Sequence, residues 1–349
     1  MQRNNQPDKS GDRPSKHQSN KPGDRPLKNQ SNKSGDRPLK NQSNKSGDRL
    51  LKMPGKLDRG PVSFESRIAN KEGEVMAIAS RDVVSVAPTT TIIGAVKTMT
   101  EAGFRRLPIT DPGTHKLKGI VTAGDIIDLM GGGSKYNLVQ VKHHGQVLAA
   151  INDSVREIMT ADVVTVPDSA RIEDAVEIIV KKKIGGLPIL NGDGVLAGIV
   201  TEKDVMKVLS RERSDLTVED AMSKSLKVTT PDTPIGMATR EMIQHRFRRL
   251  PVVSDTVLFG IITNSDIVRY LGSGQVFQKM LTGDMSEVMG LPVRTLISGP
   301  LHTTTPDTCI NDAAREMVES GIGALPVIED TRLVGLITEY DMVKAFTRK

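Results

Sequence analysis

The sequence predicts an α/β protein assembled from four copies of one β-α-β-β-α unit, arranged as two tandem pairs behind a disordered amino-terminal tail. Three observations lead there. A Leu-Pro step, followed after a polar turn by Gly, two aliphatic residues, Thr, two variable residues and Asp, recurs four times, and the unit of repetition is the unit of folding. Short β-branched runs stand on both sides of each polar turn, as paired strands require. An apolar stripe at helical spacing precedes each Leu-Pro step.

The tail comes first. Lys and Arg number 48 and Asp and Glu 42 in the 349 residues, a formal net charge of +6. Residues 1 to 60 hold 15 basic and 6 acidic residues, so the tail carries +9 and the rest of the chain −3. Gly-Asp-Arg returns at Gly11, Gly23, Gly35 and Gly47 in units such as KSGDRPLKNQSN. With few apolar side chains to offset the entropy of ordering, residues 1–65 are read as a disordered basic tail. Two roles are open to it, an electrostatic arm for RNA, DNA or acidic surfaces and a solvated extension made by repeat expansion. The charge density favours the second.

The folded units are read at 75–130, 155–210, 218–271 and 293–349. Each opens on an extended segment, VVSVAP, VVTVPD, LKVTTP or LHTTTP. A core-facing helix follows, with Ile92, Ala95, Val96 and Met99 on one stripe in the first unit and Ile172, Ala175, Val176 and Ile179 in the second. Next comes a hairpin that starts at Pro108, Pro188, Pro251 or Pro326 and reaches Thr122, Thr201, Thr263 or Thr338 after 14, 13, 12 and 12 residues. The turn absorbs the difference. A second helix begins at the Asp, as in Asp204, Val205, Val208 and Leu209, so Thr and Asp sit where strand hands over to helix. Thr122 and Thr263 are 141 residues apart and Thr201 and Thr338 137 apart, which makes the chain a repeated pair of repeats. Inserts at 131–156 and 272–292 separate the members of each pair and open on glycine turns, Gly131-Gly132-Gly133 and Gly272-Ser273-Gly274.

Composition narrows the function. Aromatic residues make up 3% with no Trp, which argues against a base-stacking surface. A single cysteine, Cys309, rules out an intramolecular disulfide and a cysteine-rich zinc site and suits a reducing compartment. No apolar run is long enough for a membrane span or a signal core, so a cytoplasmic protein without membrane contact is expected. The histidines at 17, 115, 143, 144, 245 and 302 form no ligand-spaced motif. His143-His144 reads as part of a solvated loop and Cys309 as structural, leaving no metal site and no catalytic residue.

With their Leu-Pro steps, GhhTxxD motifs (h, aliphatic) and flanking elements, residues 75 to 349 resemble four CBS domains, the cystathionine beta-synthase type repeats that pair into Bateman modules. The resemblance implies two modules, each with two symmetry-related clefts that take adenosine-containing ligands: AMP, ADP, ATP or S-adenosyl compounds. It implies a ligand sensor and no enzyme, since the repeats and inserts use up the folded chain and leave no catalytic domain such as the IMP dehydrogenase barrel. A nucleotide-binding regulator acting on an unknown protein, alone or as a homodimer, is the expectation. A scaffold binding S-adenosylmethionine and a nucleic-acid binder working through the tail are the alternatives; no further cofactor is expected.

The motif residues suit that chemistry. Asp125, Asp204, Asp266 and Asp341, at helix starts, can accept hydrogen bonds from the vicinal hydroxyls of a ribose. Thr122, Thr201, Thr263 and Thr338 place a hydroxyl beside the same helix N-termini, which favour phosphate. Equally, each Thr and Asp can simply cap its helix. Just before Leu-Pro the first and third repeats carry Arg105-Arg106 and Arg248-Arg249, where the second and fourth carry Gly185-Gly186 and Gly323-Ala324. Arginine presents a planar fork suited to phosphate. In relatives such as the gamma subunit of AMP-activated kinase basic residues at this position reach nucleotide phosphates, so the resemblance assigns the arginine pairs that role and leaves the small residues to let backbone approach adenine. Two strong sites are expected, one per module, at Arg106, Thr122 and Asp125 and at Arg249, Thr263 and Asp266, with one arginine of each pair turned to solvent. Ser80, Thr160, Ser223 and Ser298, each twelve residues before a helix-starting Ile, form a secondary set: the resemblance suggests nucleoside contact, and a turn hydroxyl is the alternative.

Overall fold

A computed structural model describes residues 73–211, 214–274 and 285–347. The tail at 1–65 lies outside them.

The first repeat shows how each unit is made. Helix α1 (Ile92–Ala102) is capped by the Thr91 hydroxyl, which accepts the Gly94 N–H at 3.1 Å, and it buries the expected stripe of Ile92, Ala95, Val96 and Met99. Gly103, with φ +68°, ends it in the left-handed conformation that glycine adopts freely. Strands β1 (Arg106–Thr110) and β2 (Leu117–Thr122) then pair antiparallel, and α2 (Ala123–Gly131) follows. The second repeat has β3 (Val166–Pro167), α3 (Ile172–Lys182), β4 (Gly186–Leu190), β5 (Leu196–Thr201) and α4 (Glu202–Leu209). The third has α5 (Ile235–His245), β6 (Arg249–Ser254), β7 (Val257–Thr263) and α6 (Asn264–Gly272). The fourth has α7 (Ile310–Glu319), β8 (Ala324–Glu329), β9 (Arg332–Thr338) and α8 (Glu339–Phe346).

The leading strand is shorter than expected. In the second repeat it is two residues, parallel to β4; elsewhere it shrinks to single parallel bridges, Val86 to Ile109, Thr229 to Val252 and Thr304 to Val327. Pro88, Pro231 and Pro306 come two residues after the bridges and Pro167 is the last residue of β3, and proline has no N–H to continue a ladder.

Each repeat also lends its first residues to its partner. Ser80 exchanges both backbone hydrogen bonds with Ile199 of the second repeat, Thr160 with Ile120 of the first, and Ser223 with Leu336 of the fourth. Val75 is buried in the second repeat's core, Val155 and Ile158 in the first's, Val218 in the fourth's and Val293 in the third's. The sequence boundaries assign these segments to the repeat that follows them in the chain, whereas their apolar side chains complete the other repeat of the pair.

Both modules of one chain pack together, the first repeat on the third and the second on the fourth, through their helices. Ile127 of α2 enters the third repeat's core, Val268 and Leu271 of α6 enter the first's, Met206 of α4 the fourth's and Val343 of α8 the second's. Gly131 and Gly272, expected only as turns, sit where these helices cross: neither has room for a Cβ, because Thr239 presses on Gly131 and Thr100 on Gly272. Close helix approach needs residues this small. No helix among the described residues is long and apolar enough to cross a membrane.

Candidate functional site

Hairpin register builds the site. Antiparallel pairing sets Arg106 opposite Thr122, Arg249 opposite Thr263, Gly186 opposite Thr201 and Ala324 opposite Thr338. The residue before each Leu-Pro therefore lies beside the N-terminus of the helix that follows the hairpin. A bulge two residues after each of those prolines leaves this register unchanged while the turns differ in length.

Every Thr and Asp forms a reciprocal cap. Asp125 Oδ2 accepts the Thr122 N–H at 2.6 Å and its hydroxyl at 2.7 Å, and the corresponding pairs are 3.1 and 2.7 Å at Asp204, 2.8 and 2.7 Å at Asp266, and 3.0 and 2.6 Å at Asp341. Capping is thus a role of all eight residues. The threonine hydroxyl proton, expected to face a ligand, is given to the aspartate. The second carboxylate oxygen meets a cation in three repeats: Lys135 at Asp125, Lys207 at Asp204 and Arg269 at Asp266. At Asp341 burial pushes the carboxyl above the usual range, against the lowering effect of the Thr338 hydrogen bonds.

The arginine pairs of both modules converge on one cavity of about 680 Å³, within the range of small-molecule sites. All four arginines line it, together with the Thr and Asp of the first and third repeats, and with Thr160 and Ser298. Thr201, Asp204, Thr338, Asp341, Ser80 and Ser223 are not among its lining residues. The sets of the first and third repeats open onto one shared space.

Neither arginine of a pair is simply turned to solvent. Arg105 of the first repeat bonds Glu339 of the fourth at 2.7 Å, and Arg248 of the third bonds Glu202 of the second at 2.6 Å, each joining one module to the other. Arg106 and Arg249 are half-buried, and desolvation pulls each guanidinium down to about 10, with the neighbouring glutamates opposing the shift and the other arginines adding to it. At neutral pH both remain charged. Four guanidiniums thus face the buried Glu202 and Glu339, with Asp341 also in electrostatic reach of Arg249, and neither Arg106 nor Arg249 is held in a direct ion pair among the described residues. Arg249 Nη1 also donates to the Gly323 carbonyl.

The small residues serve these arginines. A Cβ on Gly186 would stand 2.6 Å from Arg106 Nη1, and one on Gly323 would stand 2.8 Å from Arg105 Nη2. The space expected for adenine is therefore taken by guanidinium groups. Apolar wall comes from Phe104, Ile120, Val163 and Pro188, and the Asn264 side-chain oxygen, also on the cavity, is buried without a hydrogen bond. Such a site can take a molecule with an anionic group, a polar middle and a flat apolar part.

Glu202 and Glu339 escaped the sequence reading. Their signal is position: they follow the motif Thr in the two repeats without arginine pairs, where the first and third have Ala123 and Asn264. His143 also differs from expectation, since it is half-buried, with Nε2 2.7 Å from Asp153 Oδ2. Cys309 is half-buried before α7, its thiol 3.7 Å from the Ser214 carbonyl. No cluster of three or more His, Cys, Asp or Glu suited to a metal occurs among the described residues.

Comparison with known proteins places this architecture. The CBS domain family model matches residues 75–132, 155–211, 218–273 and 293–348. Protein MJ1225 of Methanocaldococcus jannaschii is 41% identical over 275 residues, which cover 78% of this chain and 98% of that protein. Its crystal structure, described as that of a candidate archaeal homolog of g-AMPK, superposes with a TM-score of 0.75 at 40% identity, covering 78% of this chain and 99% of the other. A 33.4 kDa protein from the ribosomal RNA operon of Thermofilum pendens is 28% identical over 266 residues, 76% of this chain and 88% of its own length. A structure from Pyrococcus horikoshii, at 18% identity and a TM-score of 0.50 over 78% of this chain and 99% of its own, shares the fold. With its hairpins in common register and its repeats paired twice over, the chain belongs to the CBS domain family and contains four CBS domains.

Proposed function

We propose that this chain is a non-catalytic regulator that binds an adenine nucleotide, AMP, ADP or ATP, in the central cavity and reports its occupancy to a partner protein. One observation carries the reading: the unpaired charges of Arg106 and Arg249 share that cavity with carboxylates held at two helix N-termini. A phosphate monoester carries about −1.5 to −2 charges at pH 7 and matches a guanidinium fork, while a carboxylate suits a ribose diol. The g-AMPK likeness stated for the M. jannaschii relative points the same way. All four repeats line the cavity, so a ligand favouring one arrangement of the modules shifts that arrangement, and a partner, or a second copy of the chain, can read the shift. The cytoplasm, where such nucleotides occur, is the setting this reading implies.

Calorimetric titration of the full chain with AMP, ADP, ATP and S-adenosylmethionine tests the proposal. At least one phosphorylated ligand is expected to bind in the micromolar range and to lose about tenfold or more in affinity with Arg106→Ala or Arg249→Ala, as loss of a charged hydrogen bond implies. Equal binding of S-adenosylmethionine, indifferent to both arginines, or no binding by any of the four, overturns it.

A further inference from the structure

The turn at Gly131-Gly132-Gly133 does more than end α2. Gly132 has φ +86°, and at Gly133 a Cβ would overlap the Asp128 carboxylate. Because Gly133 has none, the chain closes around Asp128, whose Oδ1 accepts the Lys135 N–H at 2.8 Å. That anchored backbone sends the Lys135 ammonium to two acceptors, Asp125 Oδ1 and the Ile158 carbonyl, the latter at 2.5 Å. Asp125 lines the cavity on the first repeat's side, and Ile158 belongs to the segment that brings Thr160 to the same wall. Lys135 itself is not a lining residue. It ties together two segments of that wall from outside.

The consequence is a matter of acceptor count. A carboxylate offers about four lone-pair sites. At Asp125 the Thr122 N–H and hydroxyl fill Oδ2 and Lys135 takes one of the two sites on Oδ1, so a single site is left and the two donors of a ribose diol cannot both be accepted while Lys135 stays. Asp266 has the same Thr pair, but its third bond is to Arg269 on its own helix, with that side chain 59% exposed, against 21% for Lys135. Water and salt screen the exposed pair. The ammonium at Asp125 is enclosed and doubly bonded.

Building on the nucleotide reading, we propose that Lys135 is a latch on the Asp125 end of the cavity: it must release Asp125 before a ribose binds there, so the Asp266 end fills first. The insert that carries Lys135 is thereby coupled to occupancy of the first module. Lys135 is a specificity-determining positioning residue in this scheme, acting through Asp125.

The experiment is AMP titration of the full chain in an Asp266→Ala background, which isolates the Asp125 end, with and without Lys135→Met. The expected result is AMP binding about tenfold tighter with Lys135→Met, on the scale of one charge-assisted hydrogen bond. Unchanged or weaker binding overturns the latch, weaker binding showing that Lys135 instead orients Asp125 for the ligand. Amine labelling of the unmodified chain gives a second readout independent of any substitution: saturating AMP is expected to speed acylation of the Lys135 amine as it leaves Asp125 and Ile158, and an unchanged or slower rate refutes release. AMP binding indifferent to both Asp125→Ala and Asp266→Ala refutes the nucleotide reading itself, and the latch with it.

Discussion

Replacing Arg105 by Ala takes the directly bonded cation from a buried carboxylate and leaves it only the through-space charge of Arg249 and Arg106. The Glu339 carboxylate is 3% exposed and bonds Arg105 Nη1 at 2.7 Å across the module boundary, whereas the Arg105 side chain is 38% exposed. Exposed ion pairs contribute about 0–1 kcal/mol, and breaking a fully buried pair by removing one partner costs about 3–5 kcal/mol. With one partner buried and the other over a third exposed, the expected loss lies between, at about 2 kcal/mol. For folded units of 150–250 residues each kcal/mol moves Tm by about 2–4 °C, so Arg105→Ala is expected to melt about 4–8 °C lower by circular dichroism. The reasoning makes a sharper claim about cause. If the loss comes from a buried carboxylate deprived of its bonded cation, Glu339→Gln in the Arg105→Ala background recovers more than half of it, because a neutral amide needs no counter-charge. Loss below about 0.5 kcal/mol, which is the scale of an ordinary surface substitution, or a second substitution that adds to the first, refutes the assignment of this pair as a buried link between modules.

Two further substitutions probe the same centre and the caps. Gly186→Ala puts a Cβ 2.6 Å from Arg106 Nη1 and 2.7 Å from the Val200 carbonyl; the guanidinium can move but the backbone cannot easily. It is expected to lower stability by about 1–3 kcal/mol and to weaken AMP binding, while Gly192→Ala, with open space around it, is the neutral control; a melt and titration indistinguishable from the control contradict this placement of Arg106. Asp341, raised by burial, binds its proton more tightly folded than unfolded, so the wild-type chain loses stability as pH rises from the ordinary carboxylate range through the raised value. Asp341→Asn is expected to gain on wild type across that window in urea melts taken at stepped pH, and a difference that is flat or moves the other way shows that the Thr338 hydrogen bonds outweigh burial.

Much of the site was legible because its parts are local. Thr and Asp three residues apart meet through one helical turn, and Arg106 and Thr122 meet through one hairpin, so spacing alone brings them together. The fate of the threonine hydroxyl was not legible, because donation to a ligand and donation to the neighbouring aspartate leave the same pattern in sequence. The role of Glu202 and Glu339 is not legible in sequence because the residue after each Thr varies among the repeats, and variation at one position looks like tolerance until its partner is known. Their partners, Arg248 and Arg105, lie 46 and 234 residues away.

The sequence by itself determined the fourfold unit, its apolar stripes, its capped helices and its hairpins, since each rests on a periodicity or a hydrogen bond spanning no more than a turn or two of chain. Only the tertiary structure decided which repeat receives each leading segment, that Gly131 and Gly272 are points of helix contact, that two of the four Thr and Asp sets line the cavity, and that the arginine pairs are divided between buried glutamates and open charge. Those outcomes depend on where surfaces far apart in the chain come to rest, and packing in three dimensions, rather than local pattern, determines that.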